Sequence, residues 1–374
     1  MSVRAYFDRV LQQKLDDRKA HGLLRTLVYA EGKIDFGSND YLGFTQSHEL
    51  KSYPADQRLP TGATGSRLIS GNYPIAEETE RMIAAFHGAE AALIFNSGYD
   101  ANVGLLSCIA VKGDVIISDE YNHASIIDGA RLSLANRLKF RHNDLADLEK
   151  KLALPAERKF VVVESIYSMD GDEAPLTEIA RLCEHYLALL IVDEAHANGV
   201  FGDRGEGLVG FHNLEDNAFA RVYTFGKALG LHGAAVVGSA ALRDYLINHA
   251  RSFIYTTALA PHHYALIQRA YSLLPSADRK GLHELISFFR KSSRDVSDAV
   301  KVMESNSPIQ GIVVGDNFKA KALAEHLQSR NFFVRAILSP TVPTGTERLR
   351  ICLHVVNSKE EIESLLTEVN NYFK

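Results

Sequence analysis

The chain has 374 residues, 46% hydrophobic and 23% charged, ordinary proportions for a folded protein able to bury a large core. Its formal net charge of -5 gives no sign of nucleic acid or an anionic membrane as partner. Cys108, Cys183 and Cys352 form no CxxC pair, so no metal site and no disulfide framework are expected, and the expected compartment is a reducing cytoplasm.

In chain order, residues 3–19 carry helical periodicity, with Tyr6, Val10 and Leu11 on one side and charges elsewhere. The N-terminus lacks the apolar run of a signal peptide, and no stretch approaches the length of a membrane span. GKIDFGSNDYLGF then reads as turns around a short strand. From about residue 75 helical and apolar strand-like runs alternate: helix over 76–87, strand over 91–95, helix over 102–110. Further strands follow at 115–118, 160–164, 188–193 and 221–225. This alternation predicts an α/β fold with a mostly parallel sheet covered on both faces. A helical connection spans about 262–304. A smaller α/β unit follows, with strands at 309–314, 332–337 and 348–355.

Parallel sheets bind ligands beyond the carboxyl ends of their strands. The chemically capable residues recur there: Ser97, then Glu164 and Ser168, then Asp193 and His196, then Thr224 and Lys227. In IVDEAH (191–196) a buried strand ends in Asp193, whose carboxylate needs a partner. A pyridinium nitrogen would be one, with His196 near the ring's phenolic oxygen; a helix cap is the simpler alternative. The letters DEAH also occur in helicases. A helicase needs a GxxxxGK[ST] phosphate loop, and the two Gly-Lys pairs here, Gly32-Lys33 and Gly226-Lys227, are followed by Ile and Ala.

In RVYTFGKALGLHGAAVVGS (221–239), Lys227 follows a strand among small residues. A confined lysine has a lowered pKa and can form a Schiff base; a surface lysine in a glycine-rich loop fits as well. NSGYDAN (96–102) joins strand to helix, where free N–H groups bind phosphate. Ser97, Gly98 and Tyr99 are the candidates, against an ordinary βα turn. His123 in DEYNHAS could stack on a cofactor ring or be a satisfied core histidine. His142, His262 and His263 read as structural. The glycines near 202 and 207 do not form a nucleotide fingerprint.

Taken together, FGSNDYLGF (36–44), TGATGSRLISGN (61–72), FNSGYDAN (95–102), DEYNHASIIDG (119–129), ESIYSMDGDEAPL (164–176), IVDEAHANGVFG (191–202), TFGKALG (224–230) and SPTVPTGTERLRI (339–351) resemble, in order and nearly end to end, the α-oxoamine synthases. These are a branch of the fold-type I pyridoxal 5'-phosphate (PLP) enzymes. The resemblance implies an N-terminal arm (1–44), a large PLP-binding domain (45–265), and a linker helix with a small C-terminal domain (266–374). It further implies a homodimer with shared active sites.

The implied activity is that of an acyltransferase. It condenses an amino acid with an acyl thioester, on CoA or an acyl carrier protein, and releases carbon dioxide. Within the family, the wording around Lys227 favours the branch using L-alanine and a pimeloyl thioester. The alternative is the branch using glycine and acetyl-CoA.

By the same resemblance Lys227 holds PLP as a Schiff base and acts as the base. Asp193 pairs with the ring nitrogen, His196 and Ser168 meet the phenolic oxygen, and His123 stacks over the ring. Gly98, Tyr99 and Thr224 take the phosphate, as do Thr256 and Thr257 across the dimer. Arg25, Asn39, His123, Thr341 and Arg350 contact substrate, with Arg350 as carboxylate clamp. Asn39 and Glu164 also shape the site. One departure is Leu338, where many relatives have arginine.

Overall fold

The computed structural model describes residues 2–52 and 58–374. A seven-stranded sheet forms its centre. The strands, with β1 (Ile34–Asp35) lying outside this sheet, are β2 (Ala91–Phe95), β3 (Val115–Asp119), β4 (Asn136–Phe140), β5 (Lys159–Glu164), β6 (Ala188–Asp193), β7 (Ala218–Thr224) and β8 (Ala234–Gly238). Their order is β2-β8-β7-β6-β5-β3-β4. The β3–β7 neighbours pair in parallel, whereas β8 runs antiparallel to both β2 and β7.

Both faces of this sheet are apolar, which is why its strands read as continuous hydrophobic runs. Phe160, Val162, Ile191 and Val222 point to one face and pack with Leu105, Leu106 and Ile126 from helices Gly98–Ile109 and Ala124–Leu132. Val161, Val163, Val192 and Tyr223 point to the other. There they join Ile83, Leu148, Ile179 and Ile267 of helices Pro74–Phe86, Leu145–Leu152, Leu176–His185 and Pro261–Leu273. Residue 265 therefore lies inside a helix that packs on the large sheet.

The C-terminal part has β9 (Lys301–Val302), β10 (Ile309–Val313), β11 (Phe332–Phe333), β12 (Arg335–Ile337) and β13 (Arg348–Cys352). Four of these form an antiparallel sheet, β12-β13-β10-β9, and β1 pairs in parallel with β11. Leu349 and Ile351 of β13 enter the core with Leu323, Leu327, Leu365 and Leu366 of helices Asn317–Ser329 and Lys359–Tyr372. The alternate residues turn the other way: Arg348 reaches Asp170 and Arg350 reaches the Ser168 carbonyl.

The first helix, Val3–Ala20, forms as its periodicity predicts, yet none of its residues is buried. Tyr6 and Phe7 are each 59% exposed, and Leu11 and Leu15 nearly as much. Among the described residues no helix is long and apolar enough to cross a membrane.

Candidate active site

A cavity of about 270 Å³ opens at the carboxyl ends of the parallel strands, where an α/β sheet places its ligands. Its wall includes Asn39, Gly98, Tyr99, His123, Glu164, Asp193, Thr224 and Lys227. Seven of these eight were singled out from the sequence as candidate ligand contacts, and Glu164 as a residue shaping the site.

Asp193 ends β6 and is 5% exposed. Its Oδ1 accepts the Ala195 amide at 2.9 Å and its Oδ2 accepts Nδ2 of Asn102 at 2.7 Å. Asn102 also donates to Ser125 Oγ at 3.0 Å, and that hydroxyl lies 2.8 Å from His123 Nδ1. The Ser125 main-chain N–H donates to the same nitrogen, so His123 Nδ1 is an acceptor and the neutral ring carries its hydrogen on Nε2. Burial also lowers the His123 pKa, against the pull of Asp193.

Lys227 sits in the return between β7 and β8. Burial pushes its amine pKa down, opposed by the carboxylates of Asp193 and Glu164. Gly98 starts helix Gly98–Ile109 after an N-cap by Ser97, whose hydroxyl accepts the Asp100 amide. A Cβ at Gly98 would stand 2.6 Å from the Thr224 methyl, so glycine is what lets this helix end meet β7. The helix leaves first-turn N–H groups free for an anion.

His196 and Ser168 are buried beside the cavity rather than in its wall. His196 Nδ1 lies 2.7 Å from the Tyr41 hydroxyl. Burial, reinforced by Lys227 and Arg350, keeps that ring neutral. Arg350 donates to Ser168 O at 2.7 Å and to Asn39 Oδ1 at 3.0 Å, which brings β13 to the rim. Thr256 and Thr257 contact Asn96, at the start of the Ser97–Gly98 turn, and stand outside the wall. Arg25 and Thr341 are exposed and also lie outside it.

Sequence reasoning passed over Asn102, Ser125, Tyr41 and His232. Asn102 left a signal, being a polar residue within the apolar stripe Ala101, Leu105, Leu106 and Ile109. Tyr41 left none, because its partner is 155 residues away.

The residues present fit PLP. A buried amine faces a wall that holds a carboxylate fixed by two N–H donors, and a glycine-opened helix N-terminus lies alongside.

Residues 31–369 match the Aminotransferase class I and II family. The 8-amino-7-oxononanoate synthase of Emericella nidulans is 41% identical, over 93% of this chain and 91% of its own length. A Sphingomonas wittichii serine palmitoyltransferase structure superposes with a TM-score of 0.90 at 30% identity, covering 99% of this chain and 98% of that one. The 8-amino-7-oxononanoate synthase from Francisella tularensis gives 0.79 at 29%, covering 92% and 98%. With the cavity geometry, these likenesses place the chain in the class I and II aminotransferase family, as an α-oxoamine synthase of the fold-type I PLP enzymes.

Proposed function

We propose that this acyltransferase condenses L-alanine with a pimeloyl thioester, on CoA or an acyl carrier protein, and releases carbon dioxide. The product is 8-amino-7-oxononanoate, a precursor in biotin biosynthesis. The observation that carries the reading is the shared cavity of Lys227, Asp193 and the Gly98 helix end. Likeness to 8-amino-7-oxononanoate synthases over nearly the whole chain supports it.

When bound, PLP supplies an electron sink for negative charge developing at the alanine α-carbon. Lys227 would hold the cofactor covalently, and its amine, made less basic by burial, would accept the alanine α-proton. Asp193, oriented by Asn102 and the Ala195 amide, would keep the ring nitrogen protonated. Gly98, Tyr99 and Thr224 would take the phosphate, His123 would cover the ring, and His196 with Ser168, buried beside the cavity, would serve its phenolic oxygen.

Arg350, steadied by Asn39 and the Ser168 carbonyl, clamps the amino-acid carboxylate. Arg25 and Thr341, exposed and outside the cavity wall, would meet only a part of the substrate that projects beyond it. The chain divides into an arm (1–44), a large domain (45–265) and a linker with a small domain (266–374). It works in the cytoplasm as a homodimer, in which Thr256 and Thr257 reach the partner's phosphate. The exposed apolar side of helix Val3–Ala20 is consistent with such pairing.

The test is product identification by mass spectrometry, offering alanine or glycine with pimeloyl and acetyl thioesters. Formation of 8-amino-7-oxononanoate with carbon dioxide release supports the reading. Turnover confined to glycine and acetyl-CoA overturns it.

A further inference from the structure

Two carboxyl groups end neighbouring strands in this cavity. Glu164 of β5 and Asp193 of β6 are register partners, so their side chains share one face of the sheet. They are 2% and 5% exposed, and both line the cavity. Burial and a neighbouring negative charge each favour the protonated form of a carboxyl, opposed here by the Lys227 amine.

Hydrogen-bond donors decide which member keeps a proton. Asp193 accepts two N–H groups, from Asn102 and Ala195. Glu164 accepts one, the His123 amide, at 2.5 Å from Oε1. More donors favour the charged form, so Glu164, with the single donor, is the member that keeps the proton. The surroundings agree. Burial first, then the charge of Asp193, raises the Glu164 pKa. The Lys227 ammonium and the His123 amide pull the other way, and Asp119 at the end of β3 adds to the rise. The His123 ring is neutral, as derived above.

We propose that Glu164 is a positioning residue that works as an uncharged carboxylic acid. It retains the proton of the Glu164–Asp193 pair, so that Asp193 alone carries the charge meant for the PLP ring nitrogen. Its Oε1 meanwhile holds the main chain of His123. The inference rests on the Asp193 assignment made above. It goes beyond that assignment by giving the second carboxyl a fixed protonation state. Ionisation of Glu164 at alkaline pH then puts a second negative charge in the cavity and raises the proton affinity of each neighbouring base, Lys227 included.

Glutamine is the test residue, because its amide matches the neutral acid in shape, offers an oxygen to the His123 amide and carries no charge. In PLP-loaded enzyme, Glu164→Gln is expected to keep kcat/KM within about threefold of wild type near neutral pH, whereas Glu164→Ala loses about 30-fold or more. The absorbance of bound PLP, titrated against pH, is expected to lose an alkaline component in Glu164→Gln that wild type shows. Infrared difference spectra, wild type minus Glu164→Gln, are expected to show a protonated-carboxyl carbonyl band at neutral pH that fades at alkaline pH.

A Glu164→Gln enzyme as impaired as Glu164→Ala overturns the proposal, as does absence of that band. The infrared comparison stands even if Glu164→Ala does not fold. Wild-type protein that takes up no PLP overturns the Asp193 and Lys227 assignments instead, which separates the two failures.

Discussion

Asn102 donates one amide hydrogen to Asp193 Oδ2 at 2.7 Å and another to Ser125 Oγ at 3.0 Å. One side chain thereby sets both the acid at the end of β6 and, through Ser125, the ring of His123. Replacing Asn102 with Ala removes a buried hydrogen bond to a charged group, worth about 1.5–3 kcal/mol. The expected result is a fall in kcat/KM of about 10–100-fold with a shifted pH titration of the PLP absorbance. Unchanged kinetics and titration count against the relay.

Lys227→Ala is expected to bind PLP without the covalent link and to lose turnover by at least about 10²–10⁴-fold, the usual worth of a positioned general base. Single-turnover assays of alanine α-proton exchange measure this directly. Exchange at the wild-type rate would remove Lys227 from the mechanism. Asp193→Asn, which keeps the shape but not the charge, is expected to retain PLP while losing most activity.

His142 carries both ring nitrogens on carboxylates, Asp119 at 3.0 Å and Asp172 at 2.7 Å, and stacks on Tyr121. Burial disfavours the charged ring, but the two hydrogen bonds overcome it and raise the pKa to about 10. A histidine whose folded pKa lies above its unfolded value contributes stability in full below the unfolded pKa, here 6.5, and loses it as pH climbs through about 10. Thermal melts should therefore show wild type losing stability over that window, by up to about 1.4 kcal/mol per pH unit. His142→Gln should be less stable at neutral pH and flatter across the window. Parallel curves would contradict a charged His142.

Arg350→Lys keeps the charge but loses the planar fork that spans Ser168 O and Asn39 Oδ1. Steady-state kinetics should show KM for alanine rising about 10–100-fold, the worth of one or two charge-assisted hydrogen bonds. The KM for the acyl donor should change much less. Equal rises in both would place Arg350 outside the carboxylate site.

The large sheet was legible because its strands are buried on both faces and so appear as bare apolar runs between helices, as at 160–164 and 188–193. β8 (Ala234–Gly238) was not, because it lies within the glycine-rich stretch that also carries Lys227 and reads as loop. β4 (Asn136–Phe140) escaped for the opposite reason: it is the edge strand, largely solvated and charged. Within the site, strand-end residues such as Asp193 and Lys227 announced themselves by type and place. His142 read as structural because its partners, Asp119 and Asp172, lie 23 and 30 residues away. Only folding shows that they converge.

The antiparallel return of β8 has a mechanical consequence. The Phe225 amide bonds to Gly233 O, the Leu231 amide to Phe225 O and the Gly230 amide to Lys227 O, so the peptide that bears the amine is stitched shut on both sides. In the reaction proposed above, that amine leaves its anchor and comes back in each cycle. With its main chain tethered, that excursion is left to four methylene groups swinging about a stationary pivot.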